Sequence, residues 1–259
     1  MFVSIVITVK NEAPSISKLL DSLLTQDEPF EIIIVDANSN DGTQEIVGGY
    51  ETVHPEIKLY VFDGSRGASR NFGVEKARGD VIAFIDGGCN AEKNWLKELK
   101  NKIDEGYEIV AGKTINVGRF SDIKRVELTR RGYDVTFPSC NLAYKKDLFK
   151  KIGGFDLNFI TAEDVDLNFR AVDAGGKLAY NENAVVYRET SKSIIGFLKK
   201  AFWYGYGRKQ LTMKHGKLWK SYSPKKMFQT HFSLFGILRL VFGLLGYFTC
   251  KITGGGLRK

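Results

Sequence analysis

The sequence predicts an α/β protein: a mostly parallel central sheet with helices on both faces, followed by a helical C-terminal segment of different character. Three observations carry this expectation. Continuous apolar runs alternate with amphipathic stretches through the first hundred residues, the pattern of strands buried on both faces by crossover helices. At 43% hydrophobic and 26% charged residues, the chain can build a large core. Charge is divided along the chain: residues 190–259 carry 14 Lys or Arg and no acid, whereas residues 1–189 carry 24 basic and 30 acidic residues. A basic surface of that kind meets something anionic.

The elements follow in order. VSIVITV (3–9) is a buried strand by its β-branched run. SISKLLDSLLTQ (15–26) has apolar residues at helical spacing, with Ser15 as a cap behind Pro14. EIIIVDA (31–37) is a second strand, SNDGTQEIVGGY (39–50) turns into a short helix, and IKLYVF (57–62) is a third strand. SRGASRNFGVEKARG (65–79) is a helix with a small-residue face, in which Gly67, Ala68 and Gly73 allow close backbone approach. DVIAFID (80–86) is a fourth strand and AEKNWLKELKNKI (91–103) another helix. Ligands of such sheets bind beyond the carboxyl ends of the strands, where Asn11, Glu12, Asp36, Asp63 and Asp86 fall.

The later elements are mixed. YEIVAGKTINV (107–117) and SCNLAYKK (139–146) read as strands, and AEDVDLNFRAVDAGG (162–176) as a helix with an acidic first turn and a glycine stop. KLAYNENAVVY (177–187) returns as a strand. Residues 192–226 are basic and aromatic. HFSLFGILRLVFGLLGYFTCKI (231–252) is almost wholly apolar around Arg239. It barely reaches the ~20 residues that a spanning helix needs.

Several function classes are disfavoured. The three cysteines, Cys89, Cys140 and Cys250, lie far apart, which is neither a disulfide framework nor a zinc site and points to a reducing compartment. The N-terminus reads as a strand rather than a signal peptide. The first strand runs into KNEAPS, without the glycines that a nicotinamide dehydrogenase needs. A nucleic-acid partner would suit the basic, aromatic tail but leaves the apolar run without a purpose, so none is expected.

An ordered set of segments resembles the family 2 glycosyltransferases: VSIVITVKNE, then IIIVDANSNDGT, SRGASRNFGVEKARGDVIAFID, SCNLAYKKDLFKKIGGFD and AEDVDLNFRAVDAGGKLAY. Each is weak alone; together, in this order, they span residues 3 to about 187. The resemblance implies an A-type, Rossmann-like nucleotide-sugar fold. Its expected organisation is a nucleotide-sugar-binding half (1–110), an acceptor and catalytic half (111–190) and a membrane-associating region (191–259). It implies an inverting hexosyl transfer from a UDP- or GDP-sugar, and the basic stretch followed by the apolar run adds attachment at the cytoplasmic face of an anionic membrane, with a lipid-linked or glycan acceptor. A catalytically impaired, membrane-bound nucleotide-sugar scaffold is the alternative.

The resemblance also places the site. Glu12 and Asp36 fall where the family reads base and ribose, and a carboxylate there accepts an imide or amide N–H; alternatively, Asp36 caps the next helix. Asp63, Arg66 and Arg70 flank the same donor, Arg66 and Arg70 sharing a helix face suited to a diphosphate, although Arg66 also reads as a solvated arginine. Asp86 matches the first acid of the family's Asp-x-Asp metal motif, but Gly88 stands in place of the second acid. Arg188 stands near the family's usual histidine. Three readings stay open: a weakly bound Mn or Mg ion on Asp86, Arg188 offsetting diphosphate charge directly, or Arg188 pairing with a surface acid. Asp164 matches the catalytic base, with Glu163 beside it, and Asp166 reads as helix N-terminal electrostatics. Trp203, Tyr204 and Arg208 fall where relatives cover the diphosphate or the acceptor; aromatic packing explains the two rings equally well.

Overall fold

The computed structural model describes residues 1–27, 29–121, 125–191, 193–216, 218 and 234–255. Its elements are β1 (Val3–Val9), α1 (Ala13–Leu24), β2 (Phe30–Asp36), α2 (Thr43–Val53), β3 (Ile57–Val61), α3 (Arg66–Lys76) and β4 (Val81–Asp86). There follow β5 (Cys89–Ala91), α4 (Trp95–Asp104), β6 (Ile109–Val117), β7 (Thr129–Arg130), β8 (Tyr133–Asp134), a short 3-10 turn at Ser139–Asn141, β9 (Leu142–Lys145) and α5 (Lys146–Lys151). The chain ends with α6 (Glu163–Asp173), β10 (Leu178–Glu189), α7 (Ile194–His215) and α8 (Leu234–Thr253).

Eight strands form one sheet in the order β3-β2-β1-β4-β9-β6-β10-β5. The half made by β3, β2, β1 and β4 is parallel, as the apolar runs imply. From β4 onward pairings turn antiparallel: β4 with β9, β9 with β6, and β10 with β5. After α4 the regular alternation of one strand and one helix breaks down: β6 to β9 follow with no α-helix between them, and the sheet is no longer built from repeated parallel crossovers.

The chain divides into two compact units. The first comprises residues 1–115, 137–155 and 174–189; the second comprises 116–136, 156–173 and 190–259. In the first unit, Ile5, Ile7, Ile32, Ile34, Ala83 and Ile85 pack on one face of the sheet, against α1 (Leu19, Leu23) and α4 (Trp95, Leu99). On the other face α3 approaches so closely that a Cβ on Gly73 would lie 2.6 Å from Val6 Cγ1, as the small-residue face of that helix suggested. Asn141 fastens the antiparallel half. Its side chain accepts from Trp95 Nε1 at 2.8 Å and donates to the carbonyls of Ala184 and Lys113. Helix α1 begins earlier than expected: Glu12 is its N-cap, and Ser15 sits inside the first turn with its hydroxyl donating to the Glu12 carboxylate at 2.7 Å.

In the second unit, α7 and α8 pack along each other, and at their start Phe120 stacks on Phe197 while Phe235 meets both rings edge-on. The lysines at 217, 220, 225 and 226, and the first three residues of the apolar run, lie outside the described residues.

Candidate active site

The first unit holds seven of the residues singled out in the sequence: Glu12, Asp36, Asp63, Arg66, Arg70, Asp86 and Arg188. The second holds Glu163, Asp164 and Arg208.

Asp36 ends β2, opposite Val9 of β1 and Val61 of β3. It is fully buried, and its Oδ1 accepts from the Ser39 N–H and from Gln44 Nε2, both at 2.7 Å. Its Oδ2 has no hydrogen-bond partner among the described residues. An orphaned carboxylate oxygen at a strand's end is costly unless a ligand uses it. Asp36 does not cap α2, whose N-cap is Gly42 in a left-handed conformation. The loops after β1 and β2 are laced to each other: Asn11, at φ 57°, donates its N–H to Ser39 Oγ and accepts from the Asn40 N–H. The Glu12 N–H donates to Thr43 Oγ1. Asp63 lies exposed just past β3.

Asp86 ends β4, opposite Thr8. Arg70 Nη2 donates to Asp86 Oδ1 at 2.8 Å, with the arginine 2% exposed and the aspartate 34%. The guanidinium of Arg70 also lies 5.4 Å from the Phe155 ring centre. Burial pushes the Asp86 carboxyl up, but Arg70, Arg66 and Arg188 outweigh it and hold the group below its ordinary value. Arg66 and Arg70 differ in depth: Arg66 is exposed at the start of α3, Arg70 is enclosed against Asp86.

The two glycines after Asp86 are not equivalent. A Cβ on Gly87 would lie 2.9 Å from Val9 Cγ1 and 3.0 Å from Glu12 Cγ, so that position requires glycine. A Cβ on Gly88 would meet only Glu12 Oε2, at 3.8 Å. The place of the missing acid is therefore open, with the Glu12 carboxylate beside it. Arg188 lies on β10 opposite Cys89, and its Nη1 donates to Cys140 Sγ at 3.5 Å. The buried thiols of Cys89 and Cys140 titrate against each other. Cys89 and the Arg188 guanidinium lower Cys140 despite its burial, while Cys140 and burial raise Cys89.

The family resemblance implies a divalent cation, and the donors around Asp86 do not fit a resident one. Among the described residues no three His, Cys, Asp or Glu side chains are placed to share an ion. Asp86 already accepts from Arg70, and three guanidinium groups act on it. Hard divalent ions take six or more oxygen donors, and cations already crowd this carboxylate.

Residues 4–161 match the sequence profile of glycosyl transferase family 2. The chain belongs to that family. It is 31% identical over 230 residues to the glycosyltransferase AglE of Haloferax volcanii, covering 82% of this chain and 74% of that one. It is 27% identical over 230 residues to the dolichyl N-acetyl-alpha-D-glucosaminyl phosphate 3-beta-D-2,3-diacetamido-2,3-dideoxy-beta-D-glucuronosyltransferase of Methanococcus voltae, covering 79% and 72%. Its fold is that of the mannosyltransferase PcManGT of Pyrobaculum calidifontis, solved with GDP-Man and Mn2+: TM-score 0.68, 20% identity, 97% of this chain and 75% of that one. The protein is thus a family 2 glycosyltransferase with the A-type fold expected from its motifs.

In the second unit of this transferase, α6 begins at Glu163, directly after Ala162 in the left-handed region at φ 61°. Glu163 is 4% exposed, whereas Asp164 is half-buried and its Oδ1 accepts from the Val165 N–H at 2.8 Å. Of the two, Asp164 is the carboxylate that solvent or a substrate can reach. Helix α7 fixes the approach to α6 in ways the sequence reading missed. A Cβ on Gly207 would lie 2.7 Å from Thr161 Cγ2 and 2.9 Å from the Thr161 carbonyl oxygen. Gln210 accepts from the Ile160 N–H and donates to the Asn158 carbonyl. Asp166 does more than sit at a helix start. It is fully buried and takes Lys214 Nζ, His215 Nε2 and Arg170 Nε, each at 2.8 Å. Burial raises its carboxyl, but His215, Lys214 and Arg170 together bring it down to about 2. No sequence signal singles out Gly207 or Gln210, because their partners lie some fifty residues away. Arg208 donates to the Val126 carbonyl at 3.4 Å. Trp203 packs on Phe202 and Tyr206, while Tyr204 is 47% exposed.

Proposed function

We propose that the enzyme transfers a hexosyl group, with inversion, from a uridine or guanosine diphosphate sugar to a lipid-linked or glycan acceptor at the cytoplasmic face of a membrane. The observation that carries the donor reading is the cluster at Asp86. Its carboxylate is paired with buried Arg70, and Arg66 and Arg188 add their positive charge to the same cluster. A diphosphate leaving group develops negative charge as its bond to the anomeric carbon breaks, and fixed cations placed beforehand stabilise it. In this reading Arg66 and Arg188 take the diphosphate and Arg70 positions Asp86, which accepts a donor hydroxyl. The unpartnered Oδ2 of Asp36 takes the N–H of the base, and Glu12 and Asp63 border the same nucleotide. Arg208 is a further donor-binding candidate.

The chemistry is a single displacement. The Asp164 carboxylate removes the acceptor hydroxyl proton as that oxygen bonds to the anomeric carbon. The carbon–oxygen bond to phosphate breaks on the opposite side, and the nucleoside diphosphate leaves with the electron pair. Glu163, buried beside Asp164, is a positioning group. A divalent ion carried in by the diphosphate would add charge stabilisation to these groups, bound weakly and replaceably. The Methanococcus voltae relative, named for a dolichyl-linked acceptor, supports a lipid-linked acceptor here, as does the apolar, basic C-terminal region.

The test is a screen of uridine and guanosine diphosphate sugars for binding and slow hydrolysis by the purified protein. One nucleoside class should bind, and Asp36→Asn should weaken it at least tenfold. Failure of every nucleoside diphosphate sugar to bind would overturn the donor reading.

A further inference from the structure

Helix α8 has two unlike faces. One is pressed onto α7 backbone to backbone: a Cβ on Gly205 would lie 1.7 Å from the Gly243 carbonyl oxygen, and one on Gly246 would lie 1.9 Å from the Phe202 carbonyl oxygen. The other face carries Leu234, Ile237, Val241, Leu244, Phe248 and Ile252, each between 47% and 85% exposed. Their spacing of three and four residues makes one continuous stripe. A stripe of that size on a water-soluble surface marks a contact with another apolar phase.

The helix is long and apolar enough to cross a bilayer by itself, at 20 residues and mostly unburied. Its partner argues against crossing. Phe197 packs on Phe235, Gly205 on Gly243, and Tyr206 shares a hydrogen bond with Thr253, so the two helices run side by side in the same direction. Crossing by α8 would carry α7 into the hydrocarbon with Lys199, Lys200, Arg208 and Lys209. Because the helices are parallel, the chain of residues 216–233, with its four lysines, would have to cross back as well. Neither burden arises if both helices lie flat.

Charge selects the occupant of the stripe. Lys199, Lys200 and Lys251 are exposed on the same helix pair, within a 70-residue region holding 14 cations and no acid. A second copy of the chain would bring those cations against their like; a bilayer with acidic headgroups attracts them. We propose that α7 and α8 form a parallel pair lying in the plane of an anionic membrane surface, with the α8 stripe seated at the headgroup–acyl boundary and the lysines among the headgroups. The proposal rests on the membrane-associated reading above and adds the mode of attachment: docked in the interface, not spanning.

Depth measurements on the full chain test it. Single cysteines at Ile237→Cys, Val241→Cys, Leu244→Cys, Phe248→Cys and Ile252→Cys are spin-labelled. The three native thiols are buried, and the unaltered chain serves as the labelling control. Accessibility to oxygen and to a nickel chelate is read on vesicles of phosphatidylcholine with phosphatidylglycerol. All five labels should report one shallow depth, ~5–10 Å below the phosphates. Lys199→Glu with Lys200→Glu should weaken binding to these vesicles at least tenfold and leave the labels' environment in detergent unchanged. A depth profile deepest at Leu244 and shallow at both ends would overturn the in-plane placement and leave membrane association standing. Labels that stay in water with vesicles present, or are buried by self-association without them, would overturn membrane docking altogether. Donor hydrolysis in detergent reports on the transferase reading separately.

Discussion

Two aspartates, one in each unit, solve the same electrostatic problem in opposite ways. Asp86 and Asp166 are both pulled down by cations against burial. Asp86 keeps 34% of its side chain open, accepts a hydrogen bond from Arg70, and feels the charges of Arg66 and Arg188. Asp166 is fully closed, and Arg170 of α6 with Lys214 and His215 of α7 surround it. The same residue type therefore serves two ends. A carboxylate with open surface and several guanidinium groups acting on it can still meet a ligand. One with no surface and direct partners from two helices fastens structure. A lowered carboxyl does not distinguish them; the geometry of its partners does.

The largest expected effect comes from breaking the closed acid. Asp166→Ala leaves Lys214, His215 and Arg170 around a void, and removing one member of a buried ionic cluster costs ~3–5 kcal/mol. Urea unfolding should show that loss, and a change below ~1 kcal/mol would show the cluster to be ornamental.

Next is the open acid of the same helix. Asp164→Asn keeps shape and removes the base, so kcat should fall at least ~10²-fold while nucleotide affinity and thermal midpoint stay near wild type. Turnover like the wild type's would remove Asp164 from the mechanism.

The closed acid should also show in the acid limb of stability. Its folded value of about 2 lies below the ordinary 3.8 of an aspartate. The stabilisation is therefore fully present above pH ~4 and is lost as pH falls through about 2, amounting to ~2 kcal/mol. Asp166→Asn should flatten that part of the stability curve, and an unchanged slope would contradict the assignment.

The smallest effects sharpen the view of the open acid. Arg188→Ala should slow transfer about tenfold, more than a chelator does, if its guanidinium takes up leaving-group charge. Complete loss of activity on chelation, with Arg188→Ala unaffected, would reverse that ranking. Gly88→Asp fits the open space with only Glu12 Oε2 nearby, at 3.8 Å. A second carboxylate there should tighten manganese binding in the presence of nucleoside diphosphate, by calorimetric titration. No change would mean that the arginines exclude the ion whatever the carboxylate count.

Much was legible in the sequence because it depends on neighbours in the chain. The run VSIVITV became β1 at the same bounds, and IIIVDA and VIAFID became strands ending on Asp36 and Asp86. A continuous β-branched run can satisfy its side chains only by burial on both faces, so its pattern alone fixes its element. The motif order carried the family, and Gly88 and Arg188 were visible as departures from it. Less was legible where one residue's role depends on another far away. Asp166 looked like a helix-start acid and is a buried anchor. The basic, aromatic stretch after residue 192 gave no helix by inspection, yet Ile194–His215 is one long helix, held by tertiary contacts to α8.

The sequence by itself determined the parallel half of the sheet, the acids at its strand ends, the missing second acid and the segregation of positive charge into the last seventy residues. Local periodicity and composition suffice for these. Only the tertiary structure decided that Arg70 is spent on Asp86, that Glu12 borders the empty place at Gly88, and that α8 has one free face, since each depends on which distant groups meet. Those meetings are set by packing across the fold, where a one-atom clearance at Gly73, Gly207 or Gly246 decides which surfaces can touch.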